Sequence, residues 1–203
     1  MKKKKIGLII CIVLLIYFIG GIVYSFSGAS KTNKKNKVDN SIQIKDFEYI
    51  CLEDEIELYK NEFKLLKNNL ESDEINYDEY ALSVAKMFII DLYNLNNKKN
   101  MYDVGGVEFV YPTARDNYIL NVENTLYKYM EDINDGKRSQ DLPIVSSVEV
   151  ISSEEIEYKI GEKIFSGYKI NLEITYVKDL EYDNKAEVIL VRDDKYLYVV
   201  EKN

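Results

Sequence analysis

The sequence predicts an α+β fold in which helices come first and an antiparallel sheet follows. Between residues 52 and 133, apolar side chains recur every three or four positions, which is the spacing of one helix face. From Pro143 onward, apolar and polar side chains alternate, which is typical of strands with one face on a core and the other in water. A leading apolar segment stands apart from both patterns.

That leading segment runs from Ile6 to Tyr24, contains 19 uncharged residues and directly follows Lys2–Lys5. As a helix it would be about 28 Å long, close to the thickness of the hydrocarbon core of a bilayer. The sequence therefore predicts that residues 1–24 form cytoplasmic lysines and one transmembrane helix. The positive-inside tendency places the rest of the chain outside the cytoplasm, so we expect a single-pass protein of the cell membrane.

The alternative to a permanent anchor is a cleaved signal peptide. The small residues Ser27-Gly28-Ala29 stand at a spacing that a signal peptidase accepts, and cleavage there would release a secreted protein. The length of the apolar run favours retention, because secretory segments are usually shorter. The polar residues 25–43 then predict a flexible tether, whose lysines are expected to contact anionic lipid head groups.

Residues 44–72 predict an amphipathic juxtamembrane helix. Its apolar side chains recur at alternating spacings of four and three, a heptad pattern formed by Leu52, Ile56, Tyr59, Phe63, Leu66 and Leu70, and Tyr49 extends it backward. Such a face indicates either self-association into a homo-oligomer beside the membrane or packing on the chain's own domain. Both interpretations stay open, because the pattern is shorter than the three to four heptads of a confident coiled coil.

Residues 77–203 predict an extracytoplasmic α+β domain that begins with two helices. One covers Tyr77–Asn94, and its broad apolar face is suited to covering a sheet. The other covers Thr113–Asp135, with Gly136 placed to end it. Between them, Gly105-Gly106 predicts a backbone bend before a short strand-like segment that ends at Pro112.

The predicted sheet is curved and antiparallel, and packs against these helices. Gly161 is expected to break the second strand, Ser166-Gly167 to form a turn, and Asp193-Asp194 to form a tight hairpin. The expected strands are Val145–Ile151, Glu155–Phe165, Tyr168–Tyr176, Ala186–Val191 and Tyr196–Val200.

The order of these elements from Tyr77 to Asn203 resembles the cystatin-like cone of nuclear transport factor 2-like domains. Domains of this kind behind one N-terminal span resemble the extracytoplasmic assembly factors of conjugation and type IV secretion systems. The resemblance implies a cone of helices on a curved sheet and a role in a cell-envelope assembly. The same fold family includes ketosteroid isomerases, and a shared fold does not imply a shared function.

The residue types provide little for catalysis. The chain has no histidine, so histidine-based acid–base chemistry and Ser-His or Cys-His pairs are excluded. The acidic run Glu53-Asp54-Glu55 is expected to be solvated, because carboxylates are costly to bury. Cys51 has no cysteine or histidine companion outside the apolar run, which argues against a zinc site. We therefore expect no catalytic, cofactor-binding or metal-binding residues.

The charge of the chain bears on its partners. Without the four N-terminal lysines, 23 of 27 basic residues remain against 35 acidic ones, a net charge of −12. We therefore expect no binding of nucleic acid, and instead contacts with membrane lipid through residues 6–24 and with other envelope proteins.

Of the 18 tyrosines, most are expected to pack with their hydroxyl groups at the rim of the core, Tyr129 among them. Tyr111, Tyr196 and Tyr198 are instead candidates for a contact surface beside the sheet. The function predicted is a membrane-anchored, non-catalytic interaction or scaffold domain. The alternative is a domain that binds or isomerises a small hydrophobic molecule in a pocket of the cone.

Overall fold

A computed structural model of the chain describes residues 41–133 and 138–203. In these residues, helices pack on a curved four-stranded antiparallel sheet, so the predicted α+β class is confirmed. The predicted transmembrane helix at residues 6–24, most of the predicted tether and Gly136 lie outside the described residues. Within residues 41–133 and 138–203, no helix has both the length and the apolar composition needed to span a bilayer.

Two helices form one layer of the fold: α1 is Glu57–Leu70 and α2 is Tyr77–Tyr93. The side chain of Asn76 caps α2, since its Oδ1 accepts hydrogen bonds from the backbone N–H groups of Asp78 and Glu79 at 3.1 and 3.2 Å. α2 matches the predicted helix to within one residue. It packs against α1 and contacts every strand of the sheet, which explains why most of its circumference is buried.

The sheet is built from the last four of the six strands along the chain: β3 (Val145–Ile160), β4 (Lys163–Tyr176), β5 (Lys185–Asp193) and β6 (Tyr196–Lys202). Their order in the sheet is their order in the chain, and each strand pairs antiparallel with the next. The predicted tight hairpin joins β5 to β6, and Asp194 has a positive φ of 56° there. The space between α2 and the sheet is filled by fully buried side chains, among them Phe88, Ile170, Leu172, Val188 and Leu190.

The first hairpin of the sheet differs from the prediction. Gly161 and Glu162 form the turn, with Gly161 at a φ of 61°, and Ser166-Gly167 lies inside β4. Gly167 is required there by a close approach: a Cβ on it would lie 2.1 Å from the backbone oxygen of Leu190 on β5. Glycine in a strand-like sequence can mark a bend, a close contact or a turn, and the sequence pattern does not separate these cases.

The predicted helix over residues 44–72 is too long at its N-terminal end. Residues 44–56 hold no helix; β1 (Ile42–Gln43) and β2 (Ile50–Cys51) pair there as a short antiparallel ribbon. Phe47, Tyr49 and Cys51 are buried at every second position, so their period is that of an extended chain. Tyr49 therefore does not extend the helical face backward.

Tyr49 fastens this N-terminal ribbon to the rest of the fold. Its hydroxyl group lies 2.7 Å from the hydroxyl group of Tyr80 on α2 and donates a hydrogen bond of 3.3 Å to the backbone oxygen of Leu197 on β6. Burial raises the pKa of Tyr49 well above its usual value, so the hydroxyl stays protonated. The ribbon is thus tied to both layers by one side chain.

The predicted helix over Thr113–Asp135 is also shorter. A 3₁₀ turn at Pro112–Ala114 leads into α3 (Arg115–Asn124), and the chain turns out of the helix at Thr125, with φ −125° and ψ −90°. Tyr127 is fully buried and donates a hydrogen bond to the backbone oxygen of Leu92, which holds the following segment against α2. Tyr129 is 79% exposed, so the prediction that it packs in the core is wrong.

Candidate functional site

The structure brings together the three tyrosines that the sequence indicated as a contact surface. The ring centroids of Tyr111 and Tyr198 are 5.6 Å apart, and those of Tyr196 and Tyr198 are also 5.6 Å apart. All three side chains are half-buried. We call Tyr111, Tyr196 and Tyr198 the tyrosine surface.

Strand alternation and one backbone contact position the tyrosine surface. Tyr196 and Tyr198 lie two residues apart on β6, on the face opposite to the buried Leu197 and Val199. Tyr111 is held beside β6 by a backbone hydrogen bond of 3.0 Å from its N–H to the oxygen of Val199. The segment before Tyr111 is a 3₁₀ turn at Val107–Phe109 and a single bridge from Val110 to Val199, where the sequence predicted a short strand.

Aromatic contacts extend this surface at both ends. The ring of Phe165 on β4 lies 6.2 Å from that of Tyr111, and the ring of Phe47 lies 5.5 Å from that of Tyr196. The ammonium group of Lys195 lies 4.9 Å from the centre of the Phe47 ring, within cation–π range. A row of rings therefore runs from Phe165 on β4 through the tyrosine surface to Phe47, which is buried in the core.

The rim of the tyrosine surface is polar. The hydroxyl group of Tyr111 donates a hydrogen bond of 3.0 Å to Oδ2 of Asp193. Burial and this carboxylate raise the pKa of Tyr111, so the hydroxyl remains a donor at neutral pH. Half-exposed aromatic rings with polar tips are enriched in protein–protein interfaces, and this arrangement is suited to such a contact.

The structure places the six heptad residues in different settings. Tyr59, Phe63, Leu66 and Leu70 are buried in the core of the chain's own fold. Ile56 is the half-buried N-cap of α1, and Leu52 precedes the helix and is 50% exposed. The four buried residues match the interpretation in which the helix packs on its own domain. Self-association through the set remains a prediction.

A second site, which the sequence interpretation missed, is a group of three carboxylates at the end of α2 near α1: Glu55, Asp91 and Glu108. We call these residues the carboxylate cluster. Oε1 of Glu108 accepts a hydrogen bond of 2.7 Å from the hydroxyl group of Tyr59 on α1. Asp91 on α2 forms an ion pair with Lys98 and accepts a hydrogen bond of 2.6 Å from the N–H of Gly106. The cluster therefore joins both helices to the loops around them.

Burial controls the protonation of two of these groups. It raises the pKa of Glu108 to about 7, and the charge on Asp91 adds to the effect, whereas the hydrogen bond from Tyr59 opposes it. Burial, followed by the charge on Asp91, also raises the pKa of Glu55 to about 7. The prediction that Glu55 is simply solvated is therefore wrong, because the loop before α1 folds back toward α2. Both groups titrate near neutral pH.

One sequence signal could have found part of this cluster. Glu108 interrupts the apolar stretch VEFV directly after two glycines, and a lone acid in such a stretch is a candidate for partial burial. The glycines themselves behave as predicted for a bend. Gly106 has a φ of 77°, and its N–H binds the chain's own Asp91.

The described residues also bear on three other kinds of site: a metal site, a reactive cysteine and a ligand pocket. In the part of the chain that the structure describes, no group of three His, Cys, Asp or Glu side chains could hold a metal ion. Cys51 is buried, and burial raises the pKa of its thiol to about 11, so it is a protonated thiol at neutral pH. A surface depression of about 410 Å³ is lined by Lys45, Asp46, Leu70, Glu71 and Ser72.

Comparison with protein-family models, with curated proteins and with solved structures finds no match to this chain.

Proposed function

We propose that the chain is a membrane-anchored, extracytoplasmic protein-interaction domain that acts as a non-catalytic scaffold in a cell-envelope assembly. The tyrosine surface is the observation that carries the proposal. It is an extended, half-exposed group of rings on the face of the sheet that α2 leaves uncovered, and its polar rim can bind a partner's backbone and side chains. The apolar run at residues 6–24 supplies the anchor.

Two further features support this proposal. The described residues contain more acidic than basic side chains and no histidine. This composition is better suited to a recognition surface than to a site for general acid–base chemistry. The sequence of two helices, a third short helix and a four-stranded antiparallel meander supports the resemblance to nuclear transport factor 2-like domains, and with it a component of a conjugation, secretion or other envelope machine.

The test of the contact surface is site-specific photo-crosslinking in cells that make the full-length chain. A photoreactive phenylalanine analogue in place of Tyr198 is expected to form discrete adducts with another protein, because the ring lies at the centre of the tyrosine surface. The matched control is the same replacement at Tyr129, which is more exposed but lies outside this surface. Equal adducts at both positions, or none at Tyr198, would contradict the proposal.

The test of topology uses the same cells. Protease added to intact cells is expected to remove residues after Asn40, while a cytoplasmic marker protein stays intact. Protection of these residues until the membrane is permeabilised would place the domain in the cytoplasm and end the envelope role.

A further inference from the structure

Among residues 41–133 and 138–203, no backbone segment pairs with the outer edge of strand β3. It contains 16 residues and lies at the end of the sheet, and in the described part of the chain its backbone hydrogen bonds go to β4 alone. At the other end of the sheet, the edge of β6 is partly covered by Val110 and Tyr111. A long, uncovered edge is a template for pairing with another chain, and natural proteins usually shorten or cover such edges.

The open edge is regular where it projects beyond the sheet. From Ser152 to Ile160, β3 pairs with β4 without a bulge, whereas its first half is irregular at two places. β5 pairs with β4 only as far as Gly167, so the last residues of the β3–β4 hairpin form a two-stranded ribbon. Such a ribbon is marginally stable by itself in water. Here the hydroxyl group of Tyr158 donates a hydrogen bond of 3.1 Å to Oε2 of Glu201 on β6, and the ring of Phe165 contacts that of Tyr111, so the ribbon is held at one side while the outer edge of β3 can still take a third strand.

The two faces of this ribbon differ in chemistry. Ile156, Tyr158 and Ile160 project to the face that carries Phe165 of β4. Glu155 and Glu157 project to the opposite face, which also carries Tyr168. Both glutamates are exposed, and neither forms a salt bridge with another described residue. A strand added beside β3 would therefore meet an apolar stripe on one face and two unpaired carboxylates on the other.

We propose that the edge of β3 at residues 152–160 binds an extended segment of a partner protein in which apolar residues alternate with lysine or arginine. The segment adds a fifth strand, so that main-chain hydrogen bonds supply affinity and the alternating side chains supply specificity. Its apolar residues cover Ile156 and Ile160, and its basic residues face Glu155 and Glu157. This inference rests on the proposed function in that the partner is a protein. The edge adjoins the tyrosine surface, because Phe165, whose ring contacts Tyr111, lies on the same face as Ile156 and Ile160.

The same charges argue against two other occupants. In a second copy of this chain, Glu155 and Glu157 would bring further carboxylates to an acidic edge, and like charges across strands are unfavourable. The chain's own residues 31–38, KTNKKNKV, carry lysines but lack alternating apolar side chains. The edge therefore selects a basic and amphipathic strand of another protein.

The test measures binding of synthetic nine-residue peptides to the full-length chain in detergent. The first peptide alternates valine with lysine, and the second has the same composition with all lysines in one block. We expect the alternating peptide to bind about tenfold more tightly, since only it places apolar and basic side chains on opposite faces of a strand. Hydrogen exchange at residues 152–160 is expected to slow when it binds.

A charge-reversal variant tests the position of the site. The double substitution Glu155→Lys and Glu157→Lys is expected to weaken binding of the valine–lysine peptide at least about tenfold and to favour a valine–glutamate peptide. The matched control is Asp73→Lys with Glu74→Lys, which makes the same change of net charge in the exposed loop between α1 and α2 and is expected to leave the preference unchanged.

Several results would overturn the inference. If the alternating and block peptides bound equally well, the binding would reflect only attraction of a basic peptide to an acidic protein. Equal effects of the two double variants on peptide binding would lead to the same conclusion. Stronger protection of residues 152–160 by a peptide with the sequence of residues 30–39, or a dimer that breaks with Glu155→Lys, would assign the edge to the chain itself. If the Tyr198 adducts persist alongside any of these results, the proposed function still holds although the edge inference fails. If those adducts are lost, the result of the peptide experiment is unaffected.

Discussion

Replacing Gly167 with alanine is expected to destabilise the folded chain by about 3 kcal/mol, because the new methyl group has no room. Its Cβ would lie 2.1 Å from the backbone oxygen of Leu190 and 3.2 Å from the Cα of Val191. These are backbone atoms of the neighbouring strand, so the clash is relieved only if β4 and β5 separate. Chemical denaturation followed by circular dichroism on the full-length chain in detergent measures the loss.

The control for this substitution lies on the same hairpin. Gly161 sits in the β3–β4 turn, where a Cβ would meet nothing within 4 Å, but its φ of 61° is costly for other residues. Gly161→Ala is therefore expected to cost only about 1 kcal/mol, from backbone conformation alone. If Gly167→Ala cost no more than Gly161→Ala, residues 166–167 would not lie in a paired strand and the register of β4 with β5 would be wrong.

The folded chain is expected to lose stability as the pH rises from about 4.5 to above 7. Folding raises the pKa values of Glu55 and Glu108 from 4.5 to about 7, so the folded chain binds protons more tightly than the unfolded chain does. The stabilisation from this difference is fully present below the unfolded pKa and disappears as the pH passes the folded pKa. For both groups together we expect a loss of about 2 to 4 kcal/mol. This is less than about 1.4 kcal/mol per pKa unit for each group, because both side chains are only partly buried and water screens their charges.

Glu108→Gln tests this origin of the pH dependence. Glutamine keeps the shape and the oxygen that accepts the hydrogen bond from Tyr59, but it cannot ionise. We expect the variant to be more stable than the natural chain at pH 8 and to show a smaller change between pH 5 and pH 8. The control, Glu149→Gln, alters an exposed carboxylate on β3 and should leave the pH profile as it is. A pH profile unchanged by Glu108→Gln would mean that this partly buried carboxylate does not titrate near pH 7.

The sequence was informative where one physical signal acted alone. The broad apolar face predicted helix α2, and its observed bounds, Tyr77–Tyr93, lie within one residue of the prediction. Strand alternation placed Tyr168–Tyr176 on β4, and it also placed Tyr196 and Tyr198 on one face of β6. The proximity of Tyr111 to that face needed the tertiary structure, because it depends on a bridge between Val110 and Val199 that no local pattern encodes.

The failures have a common cause in ambiguous spacing. Leu52, Ile56 and Tyr59 fit a heptad, but Phe47, Tyr49 and Cys51 also fit an extended chain, and the tertiary contacts of Tyr49 favour the second pattern. The raised pKa of Glu55 was likewise not predictable from local pattern, since it depends on burial in the folded chain and on the charge of Asp91, which is far away in the sequence. Local patterns report which faces are apolar but not which distant segment covers them.

The attachment of the β1–β2 ribbon has a mechanical consequence. Tension applied to the chain at Ser41 would first peel the two residue pairs of the ribbon apart one after the other, which resists little force. The load would then fall on the buried side chains of Ile44, Phe47 and Tyr49. Of these, Tyr49 is bound through its hydroxyl group to both a helix and the last strand. A pull from the N-terminal side would thus be transmitted into the middle of the fold. The substitution Tyr49→Phe removes the hydroxyl group and should lower the rupture force measured in single-molecule stretching.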